Sequence, residues 1–208
     1  EAKLDLARRW CKEWQFRIGV HYLRSEISAV SAGSQYAELA EITLSIIWKE
    51  VLYEFAKKFG PEPGNGAAVI SMGSLGSGML HANSDLDLII IYDADGNDQS
   101  EGDRSLSARQ YYSRLTKAFI TAISAPMSEG RLYEIDMRLR PSGFQGPVAT
   151  SWSSYQNYQK NEAWVWEHLA LTRARAVAGK SILFKEFEAF RSSLLKSYNR
   201  KNIFSELV

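Results

Sequence analysis

Asp85 and Asp87 stand one residue apart at the front of an unbroken apolar run, in MGSLGSGMLHANSDLDLIIIYD, residues 72–93. In an extended strand successive side chains face opposite ways, so the two carboxylates share one face while Leu86 and Leu88 turn into the core. Two like charges so placed repel, and a divalent cation is the usual compensation. Hard oxygen donors with no His or Cys beside them favour Mg²⁺ over zinc. A second acidic strand follows in YEIDMRLR (133–140), where the same alternation sets Asp136, Arg138 and Arg140 on one face and Ile135, Met137 and Leu139 on the other. If this strand lies beside the first, Asp136 completes a trio of carboxylates able to hold two metal ions about 3.5–4 Å apart. For the aspartate pair alone, capping of turns or a solvated edge remains an open alternative. The segment upstream favours the metal. A strand that ends in Gly73-Ser74 and leads into a short helix offers backbone N–H groups and a hydroxyl to phosphate oxygens, and its glycines let the backbone come close to them.

The elements that must position these residues are legible from spacing. The first sixty residues carry apolar residues at helical intervals, with Ala40, Leu44, Ile47, Val51 and Phe55 as one stripe and Gly60-Pro61 as a stop. GPEPGNG (60–66) reads as a loop, AAVISMG as a short buried strand, LDLIIIYD as a second strand, and ADGNDQSEGD as an exposed loop. Helical spacing returns from about 105 to 125 and ends at Pro126; YEIDMRLR is the third strand, closed by PSGFQGP. From Ser151 onward the pattern is helical again. The expected divisions are therefore a helical segment over 1–60, a core over 61–150 and a further helical segment over 151–208 that starts a helical bundle. Trp152, Trp164, Trp166, Tyr155 and Tyr158 are expected to pack, Glu134 to lie on the surface, and His168 to be structural. Glu162, Glu167, Arg173 and Arg175 are expected to support the site from behind.

Composition narrows the class. With 208 residues, 45% hydrophobic and 24% charged, the chain can bury a core as one compact unit. A formal net charge of +1 lacks the basic balance of a protein that lives on nucleic acid. The single Cys11 excludes an internal disulfide, and with His21, His81 and His168 it offers no zinc spacing. No run reaches the roughly 18 apolar residues of a membrane span. A cytoplasmic setting fits. Because the chain opens on Glu1, it is expected to be a piece of a longer one.

Gly73-Ser74, then Asp85-Leu86-Asp87, then Asp136 on a later strand resemble the signature of the nucleotidyltransferases of the DNA polymerase beta superfamily. More narrowly, MGSLGSGMLHANSDLDLIIIYD, GRLYEIDMRLRPSGFQGPV and YQNYQKNEAWVWEHLALTRARAVAG resemble the glutamine synthetase adenylyltransferase family. That family carries an adenylyl-removing and an adenylylating copy of the unit, and NEAWVWEHLALTRAR and LYEIDMRLRPSG resemble the adenylylating one. The resemblance implies an α+β fold: a small mixed sheet of polymerase beta-like type flanked by N-terminal and C-terminal helices. It implies ATP as donor and a two-ion Mg²⁺ site, with Mn²⁺ as the other choice. Asp85 and Asp87 would bridge both ions, and Asp136 would bind the catalytic ion and serve as a candidate acceptor of the substrate proton. Gly73 and Ser74 would hold the β and γ phosphates. Many family members have Gly-Lys where this chain has Gly73-Ser74, which leaves Arg138 and Arg140 as candidate cations for the outgoing pyrophosphate. Implied partners are glutamine synthetase as protein substrate, and a PII-type signalling protein and glutamine as regulators of the full-length enzyme, with no membrane and no nucleic acid. Three readings stay open beside this one. They are the adenylyl-removing copy, a template-independent RNA nucleotidyltransferase, against which the near-zero net charge argues, and a non-catalytic nucleotide sensor, against which the intact aspartates argue.

Overall fold

The computed structural model describes residues 2–94, 96, 99–127 and 130–197. In chain order the elements are α1 (Ala2–Leu23), α2 (Ala29–Phe59), β1 (Gly66–Ser71), the one-turn α3 (Gly73–Gly76), β2 (Leu86–Asp93), α4 (Ala108–Ser124), β3 (Ile135–Asp136), a 3₁₀ turn (Gly143–Gln145), β4 (Thr150–Ser151), α5 (Trp152–Asn161), α6 (Val165–Leu171), β5 (Arg175–Gly179) and α7 (Ser181–Ser197). The result is the expected α+β arrangement: helices around a small mixed sheet. Local chemistry sets the helix ends. The Ser28 side chain accepts the Ser31 N–H at the start of α2, and Gly60, at φ 85°, ends it. Ser107 caps α4 and Ser151 caps α5 in the same way.

Strand β2 is the centre of the sheet, whose order is β3-β2-β1-β5. β1 runs antiparallel to both β2 and β5, while β3 and β4 run parallel to β2 and share its other edge, β3 at its start and β4 at its end. Alternate residues feed two cores. Val69, Leu86, Leu88, Ile90 and Tyr92 pack with α2 and α4 through Ile47, Trp48, Leu115 and Phe119. Ile70, Ile89 and Ile91 pack with Trp152, Tyr155, Leu171, Leu183 and Phe187 from α5, α6 and α7. With helices on both faces, the strands read as continuous apolar runs instead of alternating ones. β2 is partly exposed only near its ends, at Asp87 and Asp93.

Two expectations change. The third strand is two residues long, not eight. The chain leaves the sheet at Met137 because Arg140 donates its N–H to Met137 O (3.2 Å), Gly143 donates to Arg140 O (2.8 Å), and Pro141 has no N–H to give a ladder. The stretch after Ser151 is not wholly helical, because β5 crosses back to cover the free edge of β1. Its sequence RAVAG is too short and too rich in small residues for its period to separate strand from helix. The expected loop at 94–103 lies partly outside the described residues (95, 97 and 98), as does the end of the expected C-terminal helical segment (198–208). Among the described residues no helix is long and apolar enough to cross a membrane.

Candidate active site

Parallel pairing of β2 with β3 sets Asp87 opposite Asp136 and Leu86 opposite Ile135. Residues in register on neighbouring strands point to the same face, so the carboxylates of Asp87 and Asp136 share one side of the sheet, with Asp85 one residue before β2. β1 ends beside them, since Ser71 pairs with Leu88 and the Met72 N–H donates to Asp87 O at 2.9 Å. The chain then turns sharply through Gly73 at φ 54°. A Cβ on that residue would fall 2.1 Å from Asp87 Oδ2, so glycine is required both by the backbone and by the carboxylate it faces. The exposed Ser74 follows, and the first N–H groups of the turn have no intrahelical acceptor. The glycine turn is therefore packed directly against the Asp87 carboxylate.

The charges are unbalanced in a telling way. Burial, then the charges of Asp136 and Asp85, push the Asp87 carboxyl above its ordinary range, while Arg138 and Arg173 pull the other way. Asp136 is held below its ordinary range, chiefly by hydrogen bonds from Arg138. Arg138 donates its backbone N–H to Asp136 Oδ1 at 2.8 Å and its Nε to Oδ2 at 2.6 Å, with Nη2 closing an ion pair. The two shifts describe the carboxylates with Arg138 seated on Asp136.

Among the described residues no three His, Cys, Asp or Glu side chains converge closely enough to hold a metal ion as they stand. The donor set nevertheless suits a hard divalent cation: all are carboxylate oxygens, and Asp87 carries an uncompensated repulsion that such an ion would relieve. The site fits Mg²⁺ on condition that Asp136 exchanges Arg138 for it. Because 65% of the Arg138 side chain is exposed, that ion pair contributes little stability and can open.

The other sequence candidates separate. Arg140 is buried and spends its guanidinium on backbone: Nη1 to Met137 O (2.8 Å), Nε to Gly146 O and Nη2 to Phe144 O (3.3 Å each). It lines the same hollow, of about 550 Å³, as Asp85, Asp136, Arg138 and the exposed Phe144, yet its hydrogen bonds shape the loop. Arg173, by contrast, is exposed, and its charge bears on Asp87. Sequence reasoning gave it only a supporting place; the Arg-x-Arg of TRARAVAG was its signal. A larger hollow, of about 640 Å³, contains none of the three aspartates. Glu134 is a surface residue paired with Arg131, and His168 is buried with Nε2 2.9 Å from Gln159 O, both as expected. Trp152 and Tyr155 pack in the core, but Trp164 and Trp166 are 71% and 53% exposed, so the packing expectation fails for them. Glu167 accepts from the Trp164 N–H (3.1 Å) and from the Tyr158 hydroxyl (2.9 Å), tying α5 to α6, while Glu162 is exposed at the end of α5. Arg175 reaches the glycine turn itself.

Comparison with known proteins bears on this geometry. The model of the family described as glutamate-ammonia ligase adenylyltransferase matches residues 1–190. The chain belongs to that family. Similar members of the glutamate-ammonia ligase adenylyltransferase family are each named bifunctional glutamine synthetase adenylyltransferase/adenylyl-removing enzyme. One from Mesorhizobium japonicum is 44% identical over 94% of this chain and 20% of its own length. One from Brucella suis is 46% identical over 86% of this chain and 18% of its own, and one from Agrobacterium fabrum 44% identical over 92% and 20%. The chain therefore spans about a fifth of the length of these relatives.

Proposed function

We propose that this chain catalyses transfer of AMP from ATP to a tyrosine hydroxyl of glutamine synthetase, releasing pyrophosphate. The observation that carries the reading is the register of Asp87 with Asp136 beside a glycine turn that a Cβ would jam against Asp87. Family membership supports glutamine synthetase as the protein acted on. The strings NEAWVWEHLALTRAR and LYEIDMRLRPSG support the adenylylating direction.

Asp85, Asp87 and Asp136 would hold Mg²⁺, with Mn²⁺ as the alternative. Such an ion would lower the pKa of the attacking phenol from its ordinary value of about 10 and would neutralise charge on the leaving pyrophosphate. The backbone of Gly73 and Ser74 and the Ser74 hydroxyl orient the β and γ phosphates against the carboxylates. Asp136, once freed of Arg138, is the carboxylate placed to accept the phenolic proton. Arg138, once off Asp136, and Arg173 supply cations to the departing pyrophosphate, and Arg140 fixes the loop that carries Arg138. A PII-type protein and glutamine would regulate the full-length enzyme, in the cytoplasm, without membrane or nucleic acid.

The test is transfer of label from α-labelled ATP to purified glutamine synthetase, with Mg²⁺ and with EDTA. Metal-dependent label on tyrosine is the expected result. Release of ADP from premodified synthetase on addition of phosphate, with no transfer from ATP, would reassign the chain to adenylyl removal.

A further inference from the structure

The carbonyl end of the glycine turn is held by a residue a hundred positions away in sequence. Arg175, the first residue of β5, donates Nε to Gly76 O and Nη2 to Leu75 O, both at 3.1 Å. The same guanidinium is gripped by Glu41 of α2, through Nη1 to Oε2 at 3.0 Å and through Nη2 to Oε1. One planar fork thus joins α2, α3 and β5. The main chain agrees with it. Arg175 pairs with Ser71, the last residue of β1, whose hydroxyl donates to Arg175 O at 3.0 Å. A Cβ on Gly76 would lie 1.7 Å from Arg173 O, so the turn is pressed against the approach to β5. The opposite side of the turn is the Gly73 face that meets Asp87.

We propose that Arg175 and Glu41 are positioning residues that fix the Gly73–Gly76 turn for phosphate binding, which rests on the nucleotide reading above. A guanidinium bound to the carbonyls of Leu75 and Gly76 holds the turn from its far end and leaves the Gly73 end, beside Asp87, outside its grip. It also sets the distance between the phosphates held there and Asp87. Geometry is what the pair supplies. The two side chains are 39% and 26% exposed, and ion pairs so wetted stabilise a fold little. Lysine cannot substitute, because a single ammonium cannot reach two carbonyls and both carboxylate oxygens in one plane.

Arg175→Lys and Glu41→Gln test this in the full chain, with three measurements on each. Amide hydrogen exchange at Gly76 and Ser77, which donate to Met72 O and Gly73 O, should accelerate at least tenfold while the amides of β1 and β2 keep their protection. The dissociation constant for MgATP should rise at least tenfold. Affinity for Mn²⁺ alone, read by electron paramagnetic resonance, should stay within twofold. Unchanged exchange overturns the clamp whether or not nucleotide binds, and so does raised exchange with MgATP affinity within twofold of wild type. Equal losses of Mn²⁺ and MgATP affinity would mark general damage and also overturn it. A wild-type chain that binds no MgATP, with exchange still raised in the variants, sinks the nucleotide reading and leaves the clamp as the holder of the turn.

Discussion

Asp87 is the residue on which charge, burial and backbone converge. Its carboxyl is pushed up by burial and by two neighbouring carboxylates, so its ionised form is a cost to the metal-free fold. The unfolded chain ionises in the ordinary range, and the cost grows as pH rises from there toward the folded value. Asp87→Asn should therefore raise the metal-free stability at pH 7 by about 0.5 kcal/mol, the scale of one cross-strand charge pair, with no gain at pH 3. Thermal melts at the two pH values in EDTA check it, and equal shifts at both would contradict it. On the proposed function, the same variant should reduce AMP transfer by roughly a thousandfold or more, since a carboxylate proposed to hold the ion is lost. Gly73→Ala should cost about 1–3 kcal/mol, because it strains a positive φ and drives a methyl into Asp87. A chemical denaturation midpoint like that of wild type would show that the turn can relax.

At the scale of elements, the acidic face of Asp87 and Asp136 depends on strands too short to announce themselves. β3 has two residues, and what holds it is Leu86 N–H donating to Glu134 O at 2.9 Å and the register with β2. Helix α7, beyond the carboxylates in sequence, closes the second core through Leu183 and Phe187, both buried to within 1%. Phe187→Ala should cost about 3–5 kcal/mol by leaving a cavity against Tyr155. Urea denaturation of the variant measures it. A loss under about 1 kcal/mol would mean that the layer of α5, α6 and α7 is not integral to the sheet.

For the whole molecule, α1 lies over α2 and brings Cys11 to within 3.4 Å of the Tyr133 hydroxyl, two residues before β3. Cys11 is fully buried, and burial pushes its thiol up. The native chain should accordingly resist alkylation by iodoacetamide at pH 8 at least a hundredfold better than the urea-unfolded chain. Mass spectrometry of timed samples reads the ratio. Rapid native labelling would mean that α1 does not stay on the core. The segment before β3 is thus held by the N-terminal helix, which links the first residues of the chain to the acidic strand.

The sequence by itself determined the carboxylates and the glycine turn. Period-two alternation puts Asp85 and Asp87 on one face wherever the segment is extended, and the glycines mark a turn whose backbone can come close to a ligand. It also determined the long helices, whose apolar stripes and caps are local signals. Only the tertiary structure decided that Asp136 stands opposite Asp87, because pairing between strands forty-nine residues apart depends on long-range contacts that no local pattern records. Likewise only the fold decided that Arg138 rests on Asp136, that Arg140 serves its own loop, and that RAVAG is a strand. Side-chain partners and edge strands are chosen by what the rest of the chain leaves unsatisfied. The free edge of β1 came into being only when the sheet assembled; β5 covers it, and its first residue, Arg175, also reaches the carbonyls of Leu75 and Gly76.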